Sequence, residues 1–267
     1  MAGPRFQQAE IRKGGKSERC AEGGLRCGPG PLMNPLQRVF ENLDRWRHLP
    51  AYQLERRVDI FFSVYLKGLV EELTGVPLDP QILPELPIKR DLIRVDHPTH
   101  RSVKVDYALF STDRQRVFFV ELKTDGHSRR DVQDQYLEAA KRLGFQKIAQ
   151  GVCDIIRKTT AHQKYHHLAS ALMRLGYITV PHELRGLVYP EPRLGSELTG
   201  RLAEIQVTAA DAMVDVIYVQ PEGTEGVRCI DFRQFAEYVA RHDDPLSQVF
   251  AQHLLRWRVE AGSCEPF

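Results

Sequence analysis

The chain has 267 residues, 42% hydrophobic and 27% charged, and its 37 Lys and Arg against 35 Asp and Glu give a formal net charge of +2. That length supports one sizeable core, or one core with an appended module, and the near balance of charge neither requires nor excludes a nucleic-acid partner. No apolar run approaches the ~18 to 20 residues of a membrane span, the N-terminal segment lacks the apolar block of a secretory signal, and five scattered cysteines without a CxxC pair indicate neither a disulfide framework nor a zinc ribbon.

A cytoplasmic protein with reduced thiols is expected. Residues 1–32 are rich in Gly and charge and lack apolar periodicity, which predicts disorder; Met33, where the patterning begins, is a candidate start. LQRVFENLDRW then reads as a short amphipathic helix. LERRVDIFFSVYLKGLVEELTG reads as a stronger one, with Val58, Phe61, Phe62, Tyr65, Leu66, Leu69 and Leu73 at helical spacing and Gly75 as its stop. Three runs of β-branched and aromatic residues follow, QILPELPIK, RSVKVDYALF and VFFVELKTD, expected as a meander of strands.

The 3.6-residue period returns in RRDVQDQYLEAAKRLG, FQKIAQGVCDIIRKT and HQKYHHLASALMRLG, and RGLVYPEP reads as a further strand. VDVIYVQ and VRCIDF are expected to pair as a hairpin across PEGTEG. RQFAEYVARHDDPLSQVFAQHLLRW makes one or two closing helices, with Asp244 as cap and Pro245 at the first helical position. The order helix, three strands, helices, strand describes an α/β protein with a central mixed sheet flanked by helices. Residues 33–190 form the expected core and 191–267 an extension packed on it, with no internal repeat.

Chemistry enters where VFFVELKTDG ends. Val117, Phe119, Glu121 and Lys123 share one face of a strand, which brings an acid and an amine together at its end. On the preceding strand Lys104, Asp106, Ala108 and Phe110 share a face, opposite Val103, Val105, Tyr107 and Leu109. A hairpin centred between Asp113 and Arg114 sets Asp106 directly opposite Glu121, where like charges repel. Solvation, protonation of one acid, or a bound divalent cation relieves that repulsion, and the cation explains most.

Asp106 in SVKVDYALF, with Val105 where the family pattern has Pro, followed by Glu121 and Lys123 in VELKTD, resembles the PD-(D/E)xK nuclease superfamily and its restriction-endonuclease-like fold, over about residues 52–190. The resemblance implies that Asp106, Glu121 and the backbone carbonyl of Leu122 hold Mg²⁺ or Mn²⁺. Lys123 would orient the attacking water and steady developing negative charge. The implied reaction is phosphodiester hydrolysis in nucleic acid, DNA before RNA, with cut polarity, strandedness, homo-oligomerisation and protein partners left open.

Further candidates come from the same resemblance. Gln133 and Tyr136, three apart on the next helix, are similar to the Gln and Tyr of the exonuclease domain of recombination helicase-nucleases, one residue closer than the usual spacing there. Glu55 falls on the inner stripe of the long helix and resembles the helical Glu that reaches the metal site in this fold, although an acid there also suits the helix dipole. Glu85 and Asp91 are lesser candidates for that role. Asp125, Ser128 and Arg129 either hold a phosphate or cap a helix. His162 and His166 lack the Glu of a metalloprotease helix and read as surface or internally satisfied histidines. Arg129, Arg130, Lys141, Arg142, Lys147, Arg157 and Lys158 either track a nucleic-acid backbone or form a solvated face. The alternative to an enzyme is a binding or assembly module with the acids in a structural role.

Overall fold

The apolar run RVFFVEL organises the molecule. In the computed structural model, which describes residues 34–50, 52–93, 102–125, 131–159, 162–180, 204–208 and 211–262, it forms β3 (Arg116–Leu122), buried from Val117 onward. A strand apolar on both sides needs cover on both faces. β3 lies centrally in a five-stranded sheet ordered β1 (Leu83–Lys89), β2 (Ser102–Phe110), β3, β6 (Met213–Gln220), β7 (Cys229–Asp231). The first three strands are antiparallel and the last three parallel, so the sheet is mixed. β4 (Ile178–Thr179) and β5 (Gln206–Val207) make a separate small sheet.

Helices cover both faces, as in a layered α/β protein. On one, α4 (Asp131–Leu143), α5 (Phe145–Lys158) and α6 (His162–Arg174) bring Leu137, Phe145, Ile148 and Leu172 against Ala108, Phe110, Val117 and Phe119. On the other, α1 (Pro35–Trp46), α2 (Glu55–Thr74), α7 (Phe232–Val239) and α8 (Pro245–Gly262) pack against Leu109, Phe118, Val120 and Leu122. A four-residue helix, α3 (Arg90–Ile93), comes after β1.

Aromatic packing anchors α2. Phe62 meets Phe235 and Phe250 edge-on, with ring centroids 4.8 and 5.2 Å apart, and each fully buried Phe contributes roughly 1.5–3 kcal/mol. Glu55 lies two turns before Phe62 on the same helical face, so this aromatic seam fixes where Glu55 stands. Gly75 closes α2 in the left-handed conformation at φ 67°, donating its N–H to the Glu71 carbonyl at 2.8 Å. Of the spaced apolar residues, Leu73 is exposed.

Asp244 caps α8 as expected, its carboxylate accepting from the Leu246 and Ser247 N–H groups at 2.9 and 3.0 Å. Two expectations are corrected. VDVIYVQ and VRCIDF do pair, but in parallel, as β6 and β7 with Tyr218 beside Cys229. β7 is only three residues long, so the intervening segment needs to return a short distance and no helical crossover is required. The segment after residue 190, expected as an extension packed on the core, supplies β6 and β7 of the sheet itself. The described residues from Pro35 onward form one compact unit. RGLVYPEP and the N-terminal segment through Met33 lie outside the described residues.

Candidate active site

The β2–β3 connection sets the site. Arg114 turns the chain at φ 60°, while Asp113 accepts from the Ser111 hydroxyl at 2.6 Å and the Gln115 N–H at 2.9 Å. The pairing that results runs Phe110↔Val117, Leu109↔Phe118, Ala108↔Phe119 and Tyr107↔Val120, the register of a turn centred between Asp113 and Arg114. The ladder gives way at the next step. There the Asp106 carboxylate accepts the Leu122 N–H at 2.8 Å, replacing a backbone acceptor with a side chain.

β1 is interrupted at the same place. Its pairing with β2 passes from Pro84↔Tyr107 to Leu86↔Val105, omitting Glu85 and Asp106, and Glu85 sits in the left-handed region at φ 54°. Strict alternation fails there. Val105 packs in the same core as Ala108 and Phe110, as Leu86 and Ile88 do with Leu83, although the two-residue period places Val103 and Val105 on the face of Tyr107 and Leu109. A left-handed residue twists the paired strands by about one position, because no L-residue stays in regular extended geometry at that φ. Asp106 stands at the change of face, and its carboxylate points along the sheet to the end of β3.

Glu121 and Lys123 lie beside it. The Lys123 ammonium donates to Glu121 Oε1 at 2.9 Å, the same oxygen accepts from the Gln133 side-chain amide, and the two residues are 2% and 4% exposed. Tyr218 on β6 donates to Asp134 Oδ1 at 2.6 Å and ties α4 to the sheet next to Gln133. The Lys123 N–H is spent on the Val219 carbonyl of β6. Leu122 therefore faces the opposite edge, and its carbonyl shares the Asp106 side with its N–H.

The acids here resist ionisation. Burial pushes Glu121 up to about 8, with the Asp106 charge adding and Lys123 opposing. Burial also raises Asp106, against the Leu122 N–H and Lys123. Burial alone would lower Lys123, but Glu121, Glu55 and Asp106 outweigh it and hold the ammonium charged. One cation thus serves several acids, so Lys123 stays protonated while Glu121 is still drawn toward its neutral form. No N–H or O–H donor reaches the buried Oε2 of Glu121, while the Glu121 and Asp106 carboxyls stand close enough to share a proton. Such an acceptor is satisfied by a proton or by a cation.

These groups floor a cavity of about 970 Å³. Glu55, Asp106, Glu121, Leu122, Lys123, Gln133 and Tyr136 all line it. Tyr136 stands one turn beyond Gln133, with its hydroxyl accepting from Arg90 at 3.3 Å. Glu55 is raised to about 7, chiefly by burial, with Lys123 pulling it down and Asp106 and Asp125 pushing it up. Glu85 and Asp125 also line the cavity, whereas Asp91 does not.

The basic helices are placed elsewhere. Lys141, Arg142, Lys147, Arg157 and Lys158 are not among the lining residues, and Arg157 is bonded to Asp154 and the Ile205 carbonyl. Ser128, Arg129, Arg130 and the side chains of His162 and His166 lie outside what is described. The cavity instead takes Arg47, His48, Tyr52 and Arg56 from the α1–α2 segment and Lys104 from β2. The density of aromatic and basic residues in WRHLPAYQLERR is the sequence signal for that wall.

Two carboxylates and a backbone carbonyl form a hard-oxygen donor set of the kind Mg²⁺ accepts, since that ion keeps several waters. Among the described residues no three His, Cys, Asp or Glu side chains converge as a metal-holding group, and none of the helices there is long and apolar enough to cross a membrane. No family model, curated protein or solved structure matches this chain.

Proposed function

We propose that the chain is a metal-dependent nuclease with a restriction-endonuclease-like core, hydrolysing phosphodiester bonds of nucleic acid and of DNA in particular. The observation that carries this reading is the buried Oε2 of Glu121, which no N–H or O–H donor reaches, close to the Asp106 carboxyl and lining the same cavity. Asp106, Glu121 and the Leu122 carbonyl would hold Mg²⁺ or Mn²⁺, an ion that acidifies water and polarises a phosphoryl oxygen.

The protein's own groups supply the rest. The Leu122 N–H orients Asp106, and Gln133 and Lys123 together fix Glu121 Oε1. Lys123, kept charged by its acid neighbours, offers a preorganised positive charge to the negative charge that develops on the phosphate, and it orients the attacking water. Glu55, raised to about 7, is matched to exchanging a proton near neutral pH.

Cleavage of plasmid and single-stranded DNA in Mg²⁺ or Mn²⁺, with Asp106→Ala, Glu121→Ala and Lys123→Ala as controls, tests the reading. Metal-dependent cutting lost in folded variants supports it. The bond between Lys123 and Glu121 favours a second reading, a binding or assembly module in which the pair is structural; it requires that the same variants alter stability and that the wild type never turns over.

A further inference from the structure

We propose that the cavity receives a single strand of DNA, with a base stacked at Tyr52, in preference to an intact duplex. The inference rests on the nuclease reading of this site and names its substrate class.

Depth is the first argument. A scissile phosphate must approach Glu121 and Lys123, which are 2% and 4% exposed, at the bottom of a cavity of about 970 Å³. That volume lies at the upper end of the roughly 300–1,000 Å³ that encloses a small ligand. It holds a nucleotide or two with their phosphates. A duplex would have to bring its complementary strand along, and chemistry inside such pockets is reached by strands already unpaired or pulled out of the stack.

The wall is the second argument. Tyr52 lines the cavity, its ring met edge-on by Trp46 at 6.2 Å and overlain by the Arg57 guanidinium 6.0 Å from its centroid. Trp46 itself remains 45% exposed, and Tyr52 is half-buried, packed at the edge of the core while lining the cavity. Arg56 on the same wall and Lys104 on β2 add cations. Rings for stacking set among cations that follow the backbone are the combination by which proteins hold single strands.

The test is fluorescence anisotropy on the full chain in EDTA, with a short labelled oligodeoxynucleotide, free or annealed to its complement as a blunt duplex. The single strand should bind about tenfold or more tightly than the duplex, and Tyr52→Ala should weaken single-strand binding about tenfold or more. Tyr52→Phe, which keeps the ring, should bind as the wild type does, and circular dichroism should show both variants folded. Equal or tighter duplex binding, no single-strand binding, or a folded Tyr52→Ala that binds like the wild type overturns the proposal. Because binding is read without divalent ions, the two readings fail separately. A chain that binds single strands through Tyr52 but never cleaves refutes the nuclease alone, whereas one that cleaves without strand preference refutes only the single-strand proposal.

Discussion

Replacing Glu55 by Gln should stabilise this protein, by an amount that grows as pH rises above about 4.5 and is complete above about pH 7. Glu55 is displaced from the ordinary 4.5 to about 7, mainly by burial. The folded chain therefore keeps a proton on Glu55 up to about pH 7, whereas the unfolded chain releases it near 4.5. The folded state binds more protons through that window, stability falls as pH rises across it, and above about pH 7 the whole penalty is present. At ~1.4 kcal/mol per tenfold change in proton affinity the displacement corresponds to about 3 kcal/mol. Glu55 is only partly buried, so solvent screening removes about half and leaves about 1–2 kcal/mol. Lys123 keeps its partner in the variant, since its bond goes to Glu121. Urea unfolding followed by circular dichroism at about pH 8 and about pH 5 reads the difference. Glu55→Gln should exceed the wild type by that amount at the higher pH and approach it at the lower. Equal midpoints at the higher pH, or a gap that widens on acidification, would refute the burial argument.

Three other outcomes are expected from the same geometry. Lys123→Ala or Asp106→Asn should lower cleavage by about 10²–10³, the usual cost of removing one preorganised electrostatic group, as read by initial rates on a plasmid. Glu121 is raised to about 8 and Asp106 is raised too. Both must ionise to hold a cation, so the cleavage rate at limiting Mn²⁺ should climb as pH rises toward about 8, and excess Mn²⁺ should move that rise to lower pH as metal displaces protons. Glu85→Gly should raise the unfolding free energy read from urea titration by up to about 1 kcal/mol, because Glu85 occupies the left-handed region at φ 54°. Its pair with Lys104 is exposed on both sides and offsets little. Glu85→Val should instead destabilise the fold and slow cleavage, and a neutral Glu85→Val would show that the left-handed residue does not set the strand twist at Asp106.

Much of the site was legible because it depends on local rules. One turn, Thr112 to Gln115, fixes the β2–β3 register, and from it the Asp106–Glu121 neighbourhood is determined. The helical period brings Glu55 to the inner stripe and Gln133 to the end of β3. What escaped depends on distant or singular geometry. Nothing in VDVIYVQ says that it will lie parallel to β3, because parallel pairing is decided by crossovers and by core volume elsewhere in the chain. Glu85 is an ordinary residue in an unusual backbone conformation, so the strict two-residue alternation read through Val103, Val105 and Asp106 could not foresee the change of face. Tyr52 sits in a connection without periodicity and Arg56 in the first turn of α2, where composition hints at a wall but cannot aim it.

The central claim, that the Asp106–Glu121 pair holds a catalytic divalent cation, is tested most directly by titrating Mn²⁺ into the wild type and into Glu121→Ala by calorimetry at about pH 8, where Glu121 is about half ionised. The account predicts saturable binding in the wild type that is lost or much weakened in the folded variant. No binding to the folded wild type, or binding unchanged by Glu121→Ala, would contradict it.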